Sequence, residues 1–179
     1  MFFAKSILPA FALFSIVFAS PIASPAPGAN DLLVKRADPV TPVVQSLSDS
    51  ALPIIALLVP GSATVTAHVD ALVKVFGTAK VDLLGLVNVD AVVDVDAVVD
   101  LNVNLIVKLL VSLNLFSVLD LSVFAKVDAA LSAYLNALVA VQADLGVSIG
   151  KGIPVVDLAL FLNVKLLLSA TVLGVLSII

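Results

Sequence analysis

Residues 89–100 read V-D-A-V-V-D-V-D-A-V-V-D, a hexamer at 89–94 repeated at once at 95–100. Around it, every odd position from 79 to 145 is apolar or glycine except Ser117, and the other polar residues fall on even positions. Strict alternation with so much valine is the pattern of half-buried strands. The same aspartates, Asp90, Asp94, Asp96 and Asp100, are also spaced to form a broad polar face on a helix. Length weighs between the two. As a single strand, residues 79–145 would extend for ~220 Å, whereas a domain of this size has a radius of gyration of about 15 Å. Strands would need several reversals, and the Asn-Gly or Asp-Gly pairs that mark tight hairpins are absent. Neither proline nor glycine occurs between Gly85 and Gly146. Helices need fewer breaks, and Asn102-Val103-Asn104 and the stretch 117–122 can supply them by capping. Residues 123–145 are mostly Ala and Leu, a helical composition. The fold class expected is all-α, a small antiparallel helical bundle. A β-solenoid or hairpin on the valine-rich repeat, residues 86–118, is the competing structure there.

Proline and glycine punctuate only the flanks of this region. Thr41-Pro42 predicts an N-cap followed by proline at the first helical position. The helix so begun runs to about Val59, with Pro53 inside it to kink or split it. Pro60-Gly61 predicts a turn, after which Ser62 caps a helix that ends at Gly77. Gly146, Gly150, Gly152 and Pro154 predict a loop, and residues 155–179 are nearly continuous Leu, Val and Ile.

The first residues read as an export signal. Lys5 supplies a positive n-region, residues 7–18 form a twelve-residue apolar run, and Val17 and Ala19 occupy the −3 and −1 positions of a small-residue cleavage site. That run is too short to span about 30 Å of hydrocarbon. A segment with Pro21, Pro25, Pro27 and Gly28 follows and ends at Lys35-Arg36, which resembles the dibasic site of a fungal Golgi processing protease. An extended, exposed spacer is what such a protease needs. The expected organisation is a signal peptide at 1–19, a propeptide at 20–36 and one mature helical domain at 37–179. Removing 36 of 179 residues leaves 143, and without Lys5, Lys35, Arg36 and Asp31 the remainder carries six Lys against twelve Asp, a formal net charge of −6. Self-repulsion of that size keeps a very apolar chain soluble.

Composition excludes several functions. The chain is 61% apolar and 12% charged, so disorder is excluded. A formal net charge of −4 with no basic cluster argues against nucleic-acid binding. There is no cysteine, hence no disulfide partner and no thiolate metal site, and all 13 acidic residues are aspartate. The tandem aspartates lack the tight glycine turn of a calcium loop and read as a solvated face. His68 stands alone, with Asp70 on the opposite side of a helix, so no catalytic pairing is expected. Gly146-Val147-Ser148-Ile149-Gly150 matches a nucleophile-elbow string but lacks strand-turn-helix order, and His68 lies on the wrong side of it in the chain. No cofactor, metal or catalytic residue is therefore expected. Gly150 and Gly152 have the spacing of a lipid-anchor attachment site before an apolar tail, but the segment between is apolar rather than polar, so a core or amphipathic helix is expected instead.

The signal, the Lys-Arg site, the absence of cysteine and a Val/Leu/Ala-rich mature chain together resemble secreted hydrophobic proteins of mushroom-forming fungi. Leu52-Pro53-Ile54-Ile55 through Ser62 and His68-Val69-Asp70-Ala71-Leu72-Val73 are similar to their early helices, as is Val127-Asp128-Ala129-Ala130-Leu131 onward to the apolar C-terminus. The resemblance is one of composition and pattern, and the valine–aspartate repeat departs from it. It implies an extracellular, cell-wall or matrix protein that aids aerial growth and attachment. A weaker resemblance is to cysteine-free fungal proteins that adsorb to hydrophobic surfaces and recruit lytic enzymes.

The expectation is thus a secreted, non-enzymatic amphiphile whose partners are hydrophobic surfaces or cell-wall polymers, with lipid binding and self-association as further possibilities. A helical module that carries lipid or sterol is the alternative.

Overall fold

Asp38 opens the first helix. The computed structural model describes residues 38–89, 92–116 and 121–177. The Asp38 carboxylate accepts hydrogen bonds from the backbone N–H of Val40 (2.8 Å) and Thr41 (3.1 Å) and from the Thr41 hydroxyl. Helix α1 (Val40–Ala56) therefore begins two residues before the predicted start, and the cap is Asp38 rather than Thr41. Pro42 falls in the first turn, where an N–H has no helical acceptor to lose. Pro53 does not split α1, because it lies in the last turn, where few helical bonds remain to be lost. Pro60-Gly61 makes the expected turn: Ser62 N–H donates to Val59 C=O (3.2 Å), and Gly61 takes φ +79°, the glycine position of a type II turn.

Helix α2 (Val65–Leu84) runs straight through Gly77, which touches nothing with its missing side chain, and stops at Gly85. The predicted stop at Gly77 is thus corrected. One interior glycine costs only about 1 kcal/mol, less than the burial of Ala79 and Leu83 beyond it returns.

The valine repeat is helical only in its second half: the described residues of the first hexamer, 89 and 92–94, are neither helix nor strand. Its second hexamer forms the first turns of α3 (Val95–Asn114), and no strand occurs among the described residues. The buried face of α3 is Val98, Asn102, Leu105, Ile106, Leu109, Leu110 and Leu113, spaced at helical intervals that use even and odd positions alike. Val95, Val99, Val103 and Val107 flank it half-buried, which is why the period-2 alternation fits a helix. Asn102 and Asn104 do not break α3. Asn102 is wholly buried and donates from Nδ2 to Val98 C=O (2.8 Å) within the same helix.

Helix α4 (Leu121–Val141) fills the predicted Ala/Leu segment and supplies Val127, Leu131, Tyr134, Leu135 and Leu138 to the core. The described residues then form α5 (Leu145–Gly152), α6 (Val155–Asn163), α7 (Leu167–Val172) and a short 3-10 turn, Val175–Ser177. The segment read as a glycine loop is in fact α5. Its glycines serve close packing: a Cβ on Gly150 would lie 2.2 Å from the backbone oxygen of Leu173.

Direction follows from contacts at the helix ends. Asp94 N–H donates to Asp38 Oδ2 (3.0 Å), which sets the starts of α1 and α3 side by side, and the later halves of both line one groove. Asp70 pairs with Lys126 (3.3 Å), and the Phe76 and Tyr134 rings lie 5.7 Å apart, so α2 and α4 also run parallel. Residues 43–50, in the first half of α1, share a pocket with residues 75–82, in the second half of α2, and the short connection between the two helices then makes them antiparallel. Consecutive long helices therefore alternate in direction, as in an up-down-up-down bundle.

Candidate functional site

Two of the long helices turn a polar stripe outward. On α1 the exposed residues include Gln45, Ser46, Asp49 and Ser50; on α3 they include Asp96, Asp100, Asn104 and Lys108. Asp96 and Asp100 lie on that stripe. Asp94 sits apart from it as the N-cap of α3, its Oδ1 accepting from Ala97 N–H (3.1 Å). Asp90, together with the processing residues Ala19, Lys35 and Arg36, lies outside the described residues.

Helix α6 reverses this pattern. Its inner side chains are Leu158 and Phe161, both buried, and its outer ones are Val155, Val156, Ala159 and Leu162, with Asn163 at the end. Val155 and Val156 are 78% and 81% exposed, the highest values among the large apolar residues. Positions 155, 159 and 162 repeat at one helix face, so the outer stripe is as apolar as the inner one. Leu167 and Leu168 at the start of α7 and Leu176 beyond it extend the exposed apolar run.

Three devices hold this end of the chain. Pro154 separates α5 from α6, which meet at 106°. Helix α6 ends with Lys165 at φ 58°: Lys165 N–H donates to Leu162 C=O (3.3 Å) and Leu166 N–H to Phe161 C=O (2.9 Å). That is a Schellman motif with lysine in glycine's usual place, and buried Leu166 lies beside buried Phe161. Then α4 reaches across to α7. Asp128, 4% exposed, accepts from Leu168 N–H (2.9 Å), Ser169 N–H (2.8 Å) and Ser169 Oγ (2.7 Å), capping α7 from another helix.

A second buried polar pair lies deeper. Tyr134, on α4, donates its hydroxyl to Asn102 Oδ1 (2.7 Å) on α3. Burial pushes the Tyr134 phenol well above its ordinary pKa, and the hydrogen bond to Asn102 opposes this only in part. The phenol stays protonated and donates throughout the physiological range. Asp38 shows the opposite balance. Partial burial would raise its carboxyl, but hydrogen bonds from the Thr41 hydroxyl and from the N–H groups of Asp94, Thr41 and Val40 hold it below the usual aspartate value.

No group of three or more metal-ligating side chains occurs among the described residues. His68 is half-buried near the start of α2, its Nδ1 without a hydrogen-bond partner, and Asp70 pairs with Lys126 instead. Ser148, in the elbow-like string, lies within α5. Over Ser122–Val141, α4 is long and apolar enough to cross a membrane, but 56% of that window is buried inside the bundle. Between α1 and α3 lies a surface groove of about 400 Å³, lined mainly by Leu52, Ile55, Ala56, Val107 and Val111.

The chain matches no protein-family model, and no curated protein matches it.

Sequence reading missed the outer face of α6, the Asp128 cap and the Asn102–Tyr134 pair. The first was visible as apolar residues at every register of a short helix. The other two are side-chain meetings across 41 and 32 positions, which no local pattern announces.

Proposed function

We propose that this protein is a secreted, non-enzymatic amphiphile that adsorbs at cell-wall, air–water or solid interfaces. The observation that carries the reading is that sixteen large apolar side chains among the described residues are exposed beside a continuous buried core. Each square ångström of such surface removed from water returns about 25 cal/mol, so a hydrophobic phase is a favourable partner without any chemical step. Export and dibasic processing are supported by the sequence pattern at Ala19, Lys35 and Arg36. A wall or matrix location, with a role in aerial growth or attachment, is supported by the resemblance to hydrophobic proteins of mushroom-forming fungi. The direct test measures surface tension and adsorption to polystyrene with secreted protein whose N-terminus has been sequenced. A species starting at Ala37 that lowers surface tension at micromolar concentration is expected; a monomer that leaves surface tension unchanged overturns the reading.

A second reading, a lipid- or sterol-binding module, is favoured by the α1–α3 groove and its apolar lining. Co-purified lipid, detected by mass spectrometry and lost on substituting Val107 and Val111 by Ser, would establish it.

A further inference from the structure

Helix α6 is apolar on its inner and outer sides, yet its outer side chains Val155, Val156 and Leu162 are exposed, the first two most of all. A helix apolar all round is normally enclosed, or it meets an apolar phase. Exposed apolar residues also occur at 81–92, but there the sequence carries Asp82 and Asp90 with only Lys80 nearby, whereas the run from Val155 to Leu168 holds the most exposed of them and carries no net charge. From 155 to 177 the only charged residues are Asp157 and Lys165, which cancel. Helices that lie on anionic membranes carry lysine and arginine along a polar face, and α6 has none. The mature chain's formal charge of −6 would also repel anionic headgroups and other copies of itself. A neutral, apolar strip on an otherwise acidic molecule is complementary to an uncharged hydrophobic surface.

We propose that the outer face of α6 together with the start of α7 (Val155, Val156, Leu162, Leu167 and Leu168) is the adsorbing surface, and that its partner is an uncharged hydrophobic phase. The proposal rests on the interfacial reading above and assigns it to one face. Asp128 fixes the face by capping α7, so Leu167 and Leu168 point outward while Ser169 and Ala170 are buried. No opening of the bundle is needed for contact.

The test compares adsorption isotherms on polystyrene beads for the wild-type protein and two fourfold variants. One carries Val155→Ser, Val156→Ser, Leu162→Ser and Leu168→Ser. The other, a matched control, carries Val81→Ser, Leu84→Ser, Val87→Ser and Val89→Ser, which are also exposed. Circular dichroism establishes that each is folded. The α6–α7 variant should bind about tenfold or more weakly, and the control should stay within about twofold of wild type. Equal losses in both variants, or a loss in the control alone, overturn the assignment of the face. No adsorption by wild type overturns the interfacial reading itself, which separates the two failures. Tighter binding to phosphatidylglycerol vesicles than to beads overturns the uncharged partner. A dimer in sedimentation that the α6–α7 variant abolishes, with adsorption unchanged, identifies a second copy as the occupant and also overturns it. Should the variant misfold, hydrogen exchange on adsorbed wild-type protein decides: new protection at 155–168 supports the face, and protection confined elsewhere overturns it.

Discussion

Asn102 and Tyr134 place a polar pair where an apolar one would fit, and their hydrogen bonds explain how the core tolerates it. Asn102 donates to Val98 C=O and accepts from Tyr134, so both side chains are engaged without water. Removing the hydroxyl in Tyr134→Phe leaves Asn102 Oδ1 buried without a donor, and should cost about 1–3 kcal/mol in chemical denaturation. The double variant Asn102→Leu/Tyr134→Phe removes both partners and should recover part of that loss, a coupling that a double-mutant cycle reads directly. Asp38 yields a pH prediction. Its folded pKa lies below the unfolded value near 3.8, so its stabilisation is fully present above that value. The contribution is lost as pH falls through the lower, folded pKa. Wild-type melting temperature should therefore drop more steeply below about pH 4 than that of Asp38→Ala, which at neutral pH is itself about 1 kcal/mol less stable for want of the cap.

The elements near the C-terminus depend on two single residues. Among the described residues Asp128 alone bonds by its side chain to the first N–H groups of α7, and it does so from inside the bundle. Asp128→Ala leaves those donors and the Ser169 hydroxyl without their acceptor in a closed site, and should cost about 2–4 kcal/mol. Amides of 167–177 should then exchange faster while those of α2 keep their protection, a difference hydrogen exchange resolves. Lys165 ends α6 in a conformation that costs a residue with a Cβ roughly 1–2 kcal/mol relative to glycine. Lys165→Gly relieves that strain but loosens the unfolded chain, so a net gain of about 0.5–1 kcal/mol in denaturation is expected. The same residue explains why an almost uninterrupted apolar run bends. The corner at 164–166 is secured by the backbone bonds of the Schellman motif and by burial of Val164 and Leu166, not by a glycine or proline.

At the scale of the molecule, the exposed apolar residues differ in the charge that accompanies them. The polar stripe of α3 carries Asp96 and Asp100, and exposed Val81 and Leu84 flank Asp82, whereas the exposed valines and leucines of α6 and α7 have Asp157 balanced by Lys165. Replacing Asp90, Asp94, Asp96 and Asp100 by Asn removes four of the twelve aspartates that follow Arg36. Asparagine also caps helices well, so α3 keeps its start. Solubility should fall, most clearly at low salt where exposed charges are least screened, while adsorption to beads is unchanged. Turbidity against protein concentration at low and high ionic strength, run beside the isotherm, checks both halves of that expectation.

Composition and local pattern were enough to establish a helix in most of the Ala/Leu-rich segment at 123–145, the Pro60-Gly61 turn, and the outward placement of Asp96 and Asp100. Each of these depends on residues within a turn or two of one another. The valine repeat was ambiguous because alternation at odd positions and a wide helical stripe select many of the same residues; packing decided it, by burying even-numbered Asn102, Ile106 and Leu110 beside odd-numbered Leu105, Leu109 and Leu113. Only the tertiary structure could bring Asp128 to α7, Asn102 to Tyr134 and Asp38 to Asp94, since each meeting joins parts of the chain far apart in sequence. The candidate site divides the same way. That the tail was apolar could be read directly, but which of its side chains remain in water depends on where the bundle surface ends, and burial is a property of neighbours rather than of residues.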